Sequence, residues 1–292
     1  MKRLSPYIAL MKLRVVELLL VTTLPALFLA TKTIHKSAVP SLGLTIATLI
    51  GGTLAAGASN AFNMIIEVDS DRLMDRTSKR PLVTGEVSEN AAFIFASALT
   101  IASLVIFSIF TTLWATILTA AAIVFYVLLY TIGLKRRTSQ NIVWGGIAGC
   151  MPVIIGWAAV TNSLSWTAWF FFILIFFWTP PHFWALAIKY KDDYAAAGIP
   201  MLPVVASIKS VQRQMWLHTV GMIAFSFAVL ASAHLPWWSW VITALLGAGF
   251  IVQLLKIDGP DGNRAAAKLF QWSITYLSTY SLLLIAGALL IK

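Results

Sequence analysis

Between positions 60 and 75 the chain sets Asn60, Asn63, Glu67, Asp71 and Asp75 at steps of three and four. On a continuing helix such steps share one face, and carboxylates so placed repel one another. Something cationic must offset them: either Arg72, Arg76, Lys79 and Arg80 from the same stretch, or a bound metal ion. A second charged stretch, Lys189-Tyr190-Lys191-Asp192-Asp193-Tyr194, continues through Gly198 and Pro200 to Pro203. Both stretches follow long apolar runs. Magnesium binds through one or two carboxylates plus substrate phosphates, while lysine and arginine take the remaining phosphate oxygens. A diphosphate joined to a long hydrocarbon suits these residues, its head among the charges and its tail among the apolar side chains. The competing reading is a solvated helix end laced with salt bridges, as most charge runs are. Against it, several carboxylates reach back toward an apolar run, and ionisable groups beside hydrocarbon are costly enough to mark function.

The elements that must position these stretches are membrane helices. Of 292 residues, 59% are hydrophobic and 11% charged, against about 25% charged in an ordinary soluble domain. Apolar runs near the length needed to cross a bilayer predict helices at 15–31, 42–66, 91–110, 113–133, 142–161, 166–188, 214–234, 237–255 and 269–291. With the N-terminus cytoplasmic and the C-terminus outside, the inner segments 1–14, 67–90, 134–141, 189–213 and 256–268 hold 18 of the 21 Lys and Arg. Lys32, Lys36 and Lys292 are left outside, the division that the positive-inside tendency requires. Ten of the eleven carboxylates are also inner, Glu17 alone falling within a span. The basic start before the first run resembles a secretory signal, but the later spans alternate correctly only when that run is kept as an uncleaved helix. The net charge of +10 lies in short loops, which argues for orientation and against a nucleic-acid partner. A single cysteine, Cys150, excludes an internal disulfide and a cysteine-based zinc site. The two charged stretches, separated by four spans, share a face and suggest two similarly oriented halves, although no residue-level repeat is visible.

Four stretches carry a resemblance over nearly the whole chain. They are Asn63-x-x-x-Glu67-x-x-x-Asp71, continued by Met74-Asp-Arg76-Thr77-Ser-Lys-Arg80-Pro81 to Gly85; Tyr130 to Lys135-Arg136-Arg137 and Asn141; Trp178-Thr-Pro180-Pro181-His182; and Asp193-Tyr194 to Pro203. The sequence resembles the UbiA superfamily of intramembrane prenyltransferases and, within it, the branch that farnesylates heme. The resemblance implies an all-α, polytopic fold, a nine-helix bundle forming one domain over 1–292, with site loops 67–90, 134–141 and 189–213 cytoplasmic in a bacterial inner membrane. It implies farnesyl diphosphate and heme B as substrates, with transfer to a heme vinyl group and addition of water giving heme O. Heme A synthase or terminal-oxidase assembly proteins would take the product.

The family pattern has Asp where this chain has Glu67, so Asp69 is an alternative ligand there. Read through the resemblance, Mg2+ is the cofactor, with Glu67, Asp69, Asp71 and Asp193 as its ligands. Asn63, Glu67, Asp71, Asp193 and Lys135 are the catalytic candidates. Arg72, Arg76, Arg80, Tyr130, Arg136, Arg137, His182 and Lys191 are the substrate-binding ones, and His182, following two prolines that break a helix ladder, is the candidate iron ligand. Two alternatives stay open: a related enzyme acting on a quinone precursor or other aromatic acceptor, and a transporter, whose coupling groups would sit nearer the midplane.

Overall fold

Serine and threonine mark where the long helices begin. Ser41, Ser88, Thr112, Ser165 and Ser207 each accept a hydrogen bond from the amide three residues on, capping a helix that then turns apolar. The computed structural model describes residues 4–35, 37–259 and 261–290; Lys2, Arg3, Lys36 and Lys292, used in the charge division, lie outside them. The order is α1 (Ser5–Leu10), α2 (Leu13–Ile34), α3 (Leu42–Ile66), α4 (Val68–Arg72), α5 (Glu89–Phe110), α6 (Leu113–Val124) running into a π-helical segment (Phe125–Leu134), α7 (Asn141–Thr161), α8 (Trp166–Lys189), α9 (Lys191–Ala196), α10 (Leu202–Val205), α11 (Ile208–Ser232), α12 (Trp237–Leu254) and α13 (Gly262–Leu290). Among the described residues there is no strand, and nine helices are long and apolar enough to cross a membrane, α6 being counted with its π extension.

The nine expected spans are the nine found among the described residues, but two begin six or seven residues earlier than apolar runs suggest: α11 at 208 rather than 214, and α13 at 262 rather than 269. Their first turns are polar, and hydrophobicity marks where a helix enters hydrocarbon rather than where its backbone starts. Pro180 and Pro181 do not break α8, which runs unbroken from 166 to 189. Both rings are buried, where packing neighbours carry a helix past two missing donors.

α7 and α8 occupy the middle of the bundle. α2 packs on α7 and α13, α3 on α5, and α8 on α7, α11 and α13. Between them lie Trp157, Phe171, Tyr276 and Tyr280, all fully buried. The outward faces remain apolar: Phe93, Ile94, Ile101, Val105 and Ile109 of α5 are all exposed. Such a row faces lipid in a multi-pass membrane protein.

At one end of the bundle the regular helices give way. α3 stops at Glu67, whose backbone (φ −102°, ψ 8°) leaves the helical region before α4 resumes the chain. The amide of Glu67 still donates to Asn63 O and that of Asp71 to Glu67 O, at 3.0 and 2.9 Å, so these three residues keep a common face. Asp75 does not join them as a continuous helix would require; it lies exposed in the turn beyond α4.

Candidate active site

Each carboxylate of the Asn63–Asp71 face meets a cation from a distant element. The Lys135 ammonium donates to both oxygens of Glu67, at 2.5 and 2.6 Å, and Arg80 grips Oδ2 of Asp71. Both acids are buried, their side chains 4% and 1% exposed. Lys135 reaches Glu67 because the end of α6 is wound as a π-helix: the Lys135 amide donates to Tyr130 O and Thr131 Oγ1 to Tyr126 O, each five residues back. That winding sets Tyr126 and Tyr130 with ring centroids 5.3 Å apart. The Tyr130 ring lies flush on α7 at Gly145, where a Cβ would come within 2.2 Å of it.

Asn63 ties three elements together. Its Nδ2 donates to Thr131 Oγ1 (3.3 Å), and its Oδ1 accepts from the Lys12 ammonium (2.8 Å). Lys12 itself sits at the break between α1 and α2 in the left-handed region (φ 51°, ψ 54°), uncommon for a side chain with Cβ. Asn60 secures that break by donating to Met11 O at 2.9 Å. Sequence reasoning treated Lys12 as an orientation charge. The only signal in the chain for another role was its nearness to the first span; its partner lies 51 residues away.

The second charged stretch meets the first. Arg76 stands over the rings of Tyr190 and Tyr194, at 5.6 and 5.8 Å, and donates to the Tyr194 hydroxyl at 3.4 Å. Beneath this contact Met74, Ile142, Tyr194, Ile199 and Met201 form a small apolar cluster, so loops 67–90, 134–141 and 189–213 share one end of the bundle.

From that end a cavity of about 310 Å3 runs into the bundle. Among the described residues, Lys12, Arg76, Arg80 and Lys135 are its charged lining residues, and no carboxylate lines it. Deeper, its wall is apolar apart from threonines such as Thr22, Thr48 and Thr119, whose hydroxyls bond carbonyls of their own helices. Such a container takes an anionic head and a hydrocarbon tail.

Burial alone would raise the Glu67 pKa, but the bonded Lys135 ammonium, with Lys12 and Arg80 behind it, holds it below the usual range. Burial, then repulsion from Arg80 and Lys135, depresses Lys12 well below 10.5, with Glu67 and Asp71 opposing. Burial raises the Tyr194 phenol against the pull of Arg76.

Of the residues expected from sequence, Asn63, Arg76, Arg80, Tyr130 and Lys135 line the cavity, with Glu67 and Asp71 directly behind the last two cations. Asp69, the alternative ligand to Glu67, points away: its side chain is 87% exposed and pairs with the exposed Arg72 at 3.4 Å. The step of two from 67 to 69, in place of three or four, turns it off the shared face. Arg136, Arg137 and Lys191 are exposed, and Asp193 is half-buried on the first turn of α9. His182 is not among the lining residues. Its ring is stacked between Trp178 and Phe270, centroids at 4.3 and 4.6 Å, with Nδ1 2.6 Å from Ser273 Oγ. An unbroken α8 turns it toward α13 and away from the cavity.

No three His, Cys, Asp or Glu side chains among the described residues gather around a common metal position. Magnesium needs only one or two carboxylates when phosphates complete its shell. Asp71 Oδ1, buried and without a hydrogen-bond partner, is an oxygen left open for a hard cation, so Asp71 fits as one of its ligands.

Residues 19–275 match the UbiA prenyltransferase family. The chain is 46% identical over 283 residues to the protoheme IX farnesyltransferase of Streptomyces avermitilis, covering 94% of this chain and 91% of that protein. It is 47% identical over 281 residues to the protein of that name from Frankia alni, covering 94% and 95%. Among solved structures it is similar in fold to a UbiA homolog from Archaeoglobus fulgidus bound to DMAPP and Mg2+ (TM-score 0.70, 17% identity, 96% and 99% covered). A digeranylgeranylglyceryl phosphate synthase structure matches with TM-score 0.80 and 16% identity, covering both chains fully.

Proposed function

The chain belongs to the UbiA prenyltransferase family, and from that membership we infer that it transfers the farnesyl group of farnesyl diphosphate to a vinyl group of heme B, giving heme O and diphosphate. The observation that carries the donor half is the cavity: among the described residues it has four cations at one end, no carboxylate in its wall, and an apolar interior. The acceptor rests on relatives named protoheme IX farnesyltransferase at nearly half identity over nearly the whole chain.

In this reading the diphosphate lies against Lys12, Arg76, Arg80 and Lys135. The bond from farnesyl C1 to oxygen breaks, the electron pair leaves with diphosphate, and these fixed cations stabilise the charge that gathers there. Glu67 and Asp71 hold Lys135 and Arg80 in place, so the cations need no reorganisation as the bond opens. The farnesyl cation is left among the apolar walls beside the Tyr126 and Tyr130 rings, shielded from bulk water. The heme vinyl electrons form the new carbon–carbon bond, and water adds to the resulting cation with loss of a proton. We assign Mg2+ to Glu67, Asp71 and Asp193, the residues that would hold it; when bound it would supply Lewis-acid stabilisation of the leaving group. The three site loops are placed on the cytoplasmic side of a bacterial plasma membrane, a reading supported by their basic residues and by bacterial relatives. Heme A synthase or oxidase-assembly proteins would receive the product.

Incubating the purified protein with labelled farnesyl diphosphate and either heme B or 4-hydroxybenzoate tests the assignment. Label and mass should appear in farnesyl-hydroxyethyl heme. Label in 4-hydroxybenzoate with none in heme would overturn it.

A further inference from the structure

The cavity has a definite deep end. Its α3 wall descends through Asn63, Asn60, Ser59, Ala56, Ala55 and Gly52 to Thr48 and then stops. The walls from α2, α6 and α7 stop at Thr23, Thr119 and Ile155. α5 contributes one lining residue only, Phe107. It lies three residues from the end of α5 distant from the loops, as Thr48, Thr119 and Ile155 each lie six residues from the corresponding ends of α3, α6 and α7. The ring is 0% exposed and rests directly on the α3 backbone: a Cβ at Gly51 would stand 2.8 Å from Phe107 Cε2. One turn earlier, Ser103 Oγ donates to Gly51 O at 2.7 Å, pinning α5 to α3 at that height. The ring belongs to one buried core cluster with Ala26, Leu27, Ala30, Ala115, Ala158 and Ala159.

We propose that Phe107, seated on Gly51, is the floor of the prenyl cavity and the residue that limits the donor to a chain of three isoprene units. The inference rests on the reading of this cavity as the prenyl site. A chain lying head-first on Lys12, Arg80 and Lys135 extends toward Thr48 and Thr119, and a fourth unit would need the volume the ring fills. Packed interiors do not yield such volume without strain.

The experiment uses the full-length protein with heme B and geranyl, farnesyl or geranylgeranyl diphosphate, for wild type, Phe107→Leu, Phe107→Ala and Phe107→Trp. Pocket volume discriminates between homologous chains by roughly 10- to 200-fold. The ratio of kcat/KM for geranylgeranyl over farnesyl should therefore rise at least about tenfold in the two smaller variants. Phe107→Trp should favour geranyl over farnesyl. An unchanged ratio in Phe107→Leu and Phe107→Ala would overturn the proposal. So would an equal loss of transfer with all three donors in Phe107→Leu, which would make the ring a general packing element. Binding of the three diphosphates without acceptor, measured in parallel by calorimetry, reads the same chain-length order. Wild-type protein that binds them in that order yet modifies no heme would sink the functional reading and leave the floor standing.

Discussion

Glu67 owes its ionised state to Lys135, and Lys135 its position to Glu67. Removing one partner of a buried pair leaves the other charge uncompensated, which costs about 3–5 kcal/mol. Lys135→Ala should therefore lower kcat/KM for farnesyl transfer by a hundredfold or more, and a double-mutant cycle with Glu67→Gln should show strong coupling between the two sites. Because the folded pKa of Glu67 lies below its ordinary value of 4.5, the pair's stabilisation is complete above that value and is lost only as pH falls through the lower, folded one. The acid limb of the activity profile should accordingly show no titration of Glu67 above about pH 5. Lys12 behaves in the opposite sense. Its depressed pKa means that the charged form an anion requires disappears early as pH rises. Lys12→Arg, charged throughout, should carry pyrophosphate affinity into the alkaline range where wild type loses it. Lys12→Ala should weaken binding of farnesyl diphosphate about 10- to 100-fold, the worth of one charged hydrogen bond. Chelation of divalent ions should abolish transfer, and added magnesium should restore it.

The π-helical end of α6 is the element on which the head of the site depends. Its five-residue hydrogen bonds let one segment present Tyr126, Tyr130 and Lys135 to the cavity together. Deleting Leu128, a lipid-exposed residue in this segment, should let the ladder relax to α-geometry, in which one residue turns the chain by about 100°. Lys135 would then swing away from Glu67, and transfer should fail while helicity measured by circular dichroism and membrane insertion remain. π-Helical segments are often functional, yet nothing in Phe125–Leu134 separates it by composition from the apolar run before it. The run was legible as a span; its winding was not. α4 was hidden in the same way: the carboxylate spacing described a face correctly for Asn63, Glu67 and Asp71, but not the backbone break at Glu67 that leaves Asp75 outside it.

At the scale of the whole molecule, three loops distant in sequence close over one end of the helix bundle, joined by Lys135 to Glu67 and by Arg76 to the Tyr190–Tyr194 stretch. Since Cys150 is the lone cysteine and is buried, single-cysteine mapping is practicable. Asp75→Cys and Asp192→Cys should both be labelled from the cytoplasmic side and Ser163→Cys from the opposite side. Labelling of positions 75 and 192 from different sides would contradict the shared site. The sequence by itself determined the number of spans and the gathering of charge at one end, because crossing hydrocarbon and partitioning charge across a bilayer are properties of each segment alone. It also carried the family, through short motifs that stay contiguous in the chain. Only the tertiary structure decided which cation answers which carboxylate, that Lys12 joins them, that His182 turns from the cavity into a stack with Trp178 and Phe270, and where the cavity ends. Each of these depends on side chains from helices tens of residues apart meeting at one depth, and the packing of the bundle, not the local spacing of residues, fixes that depth.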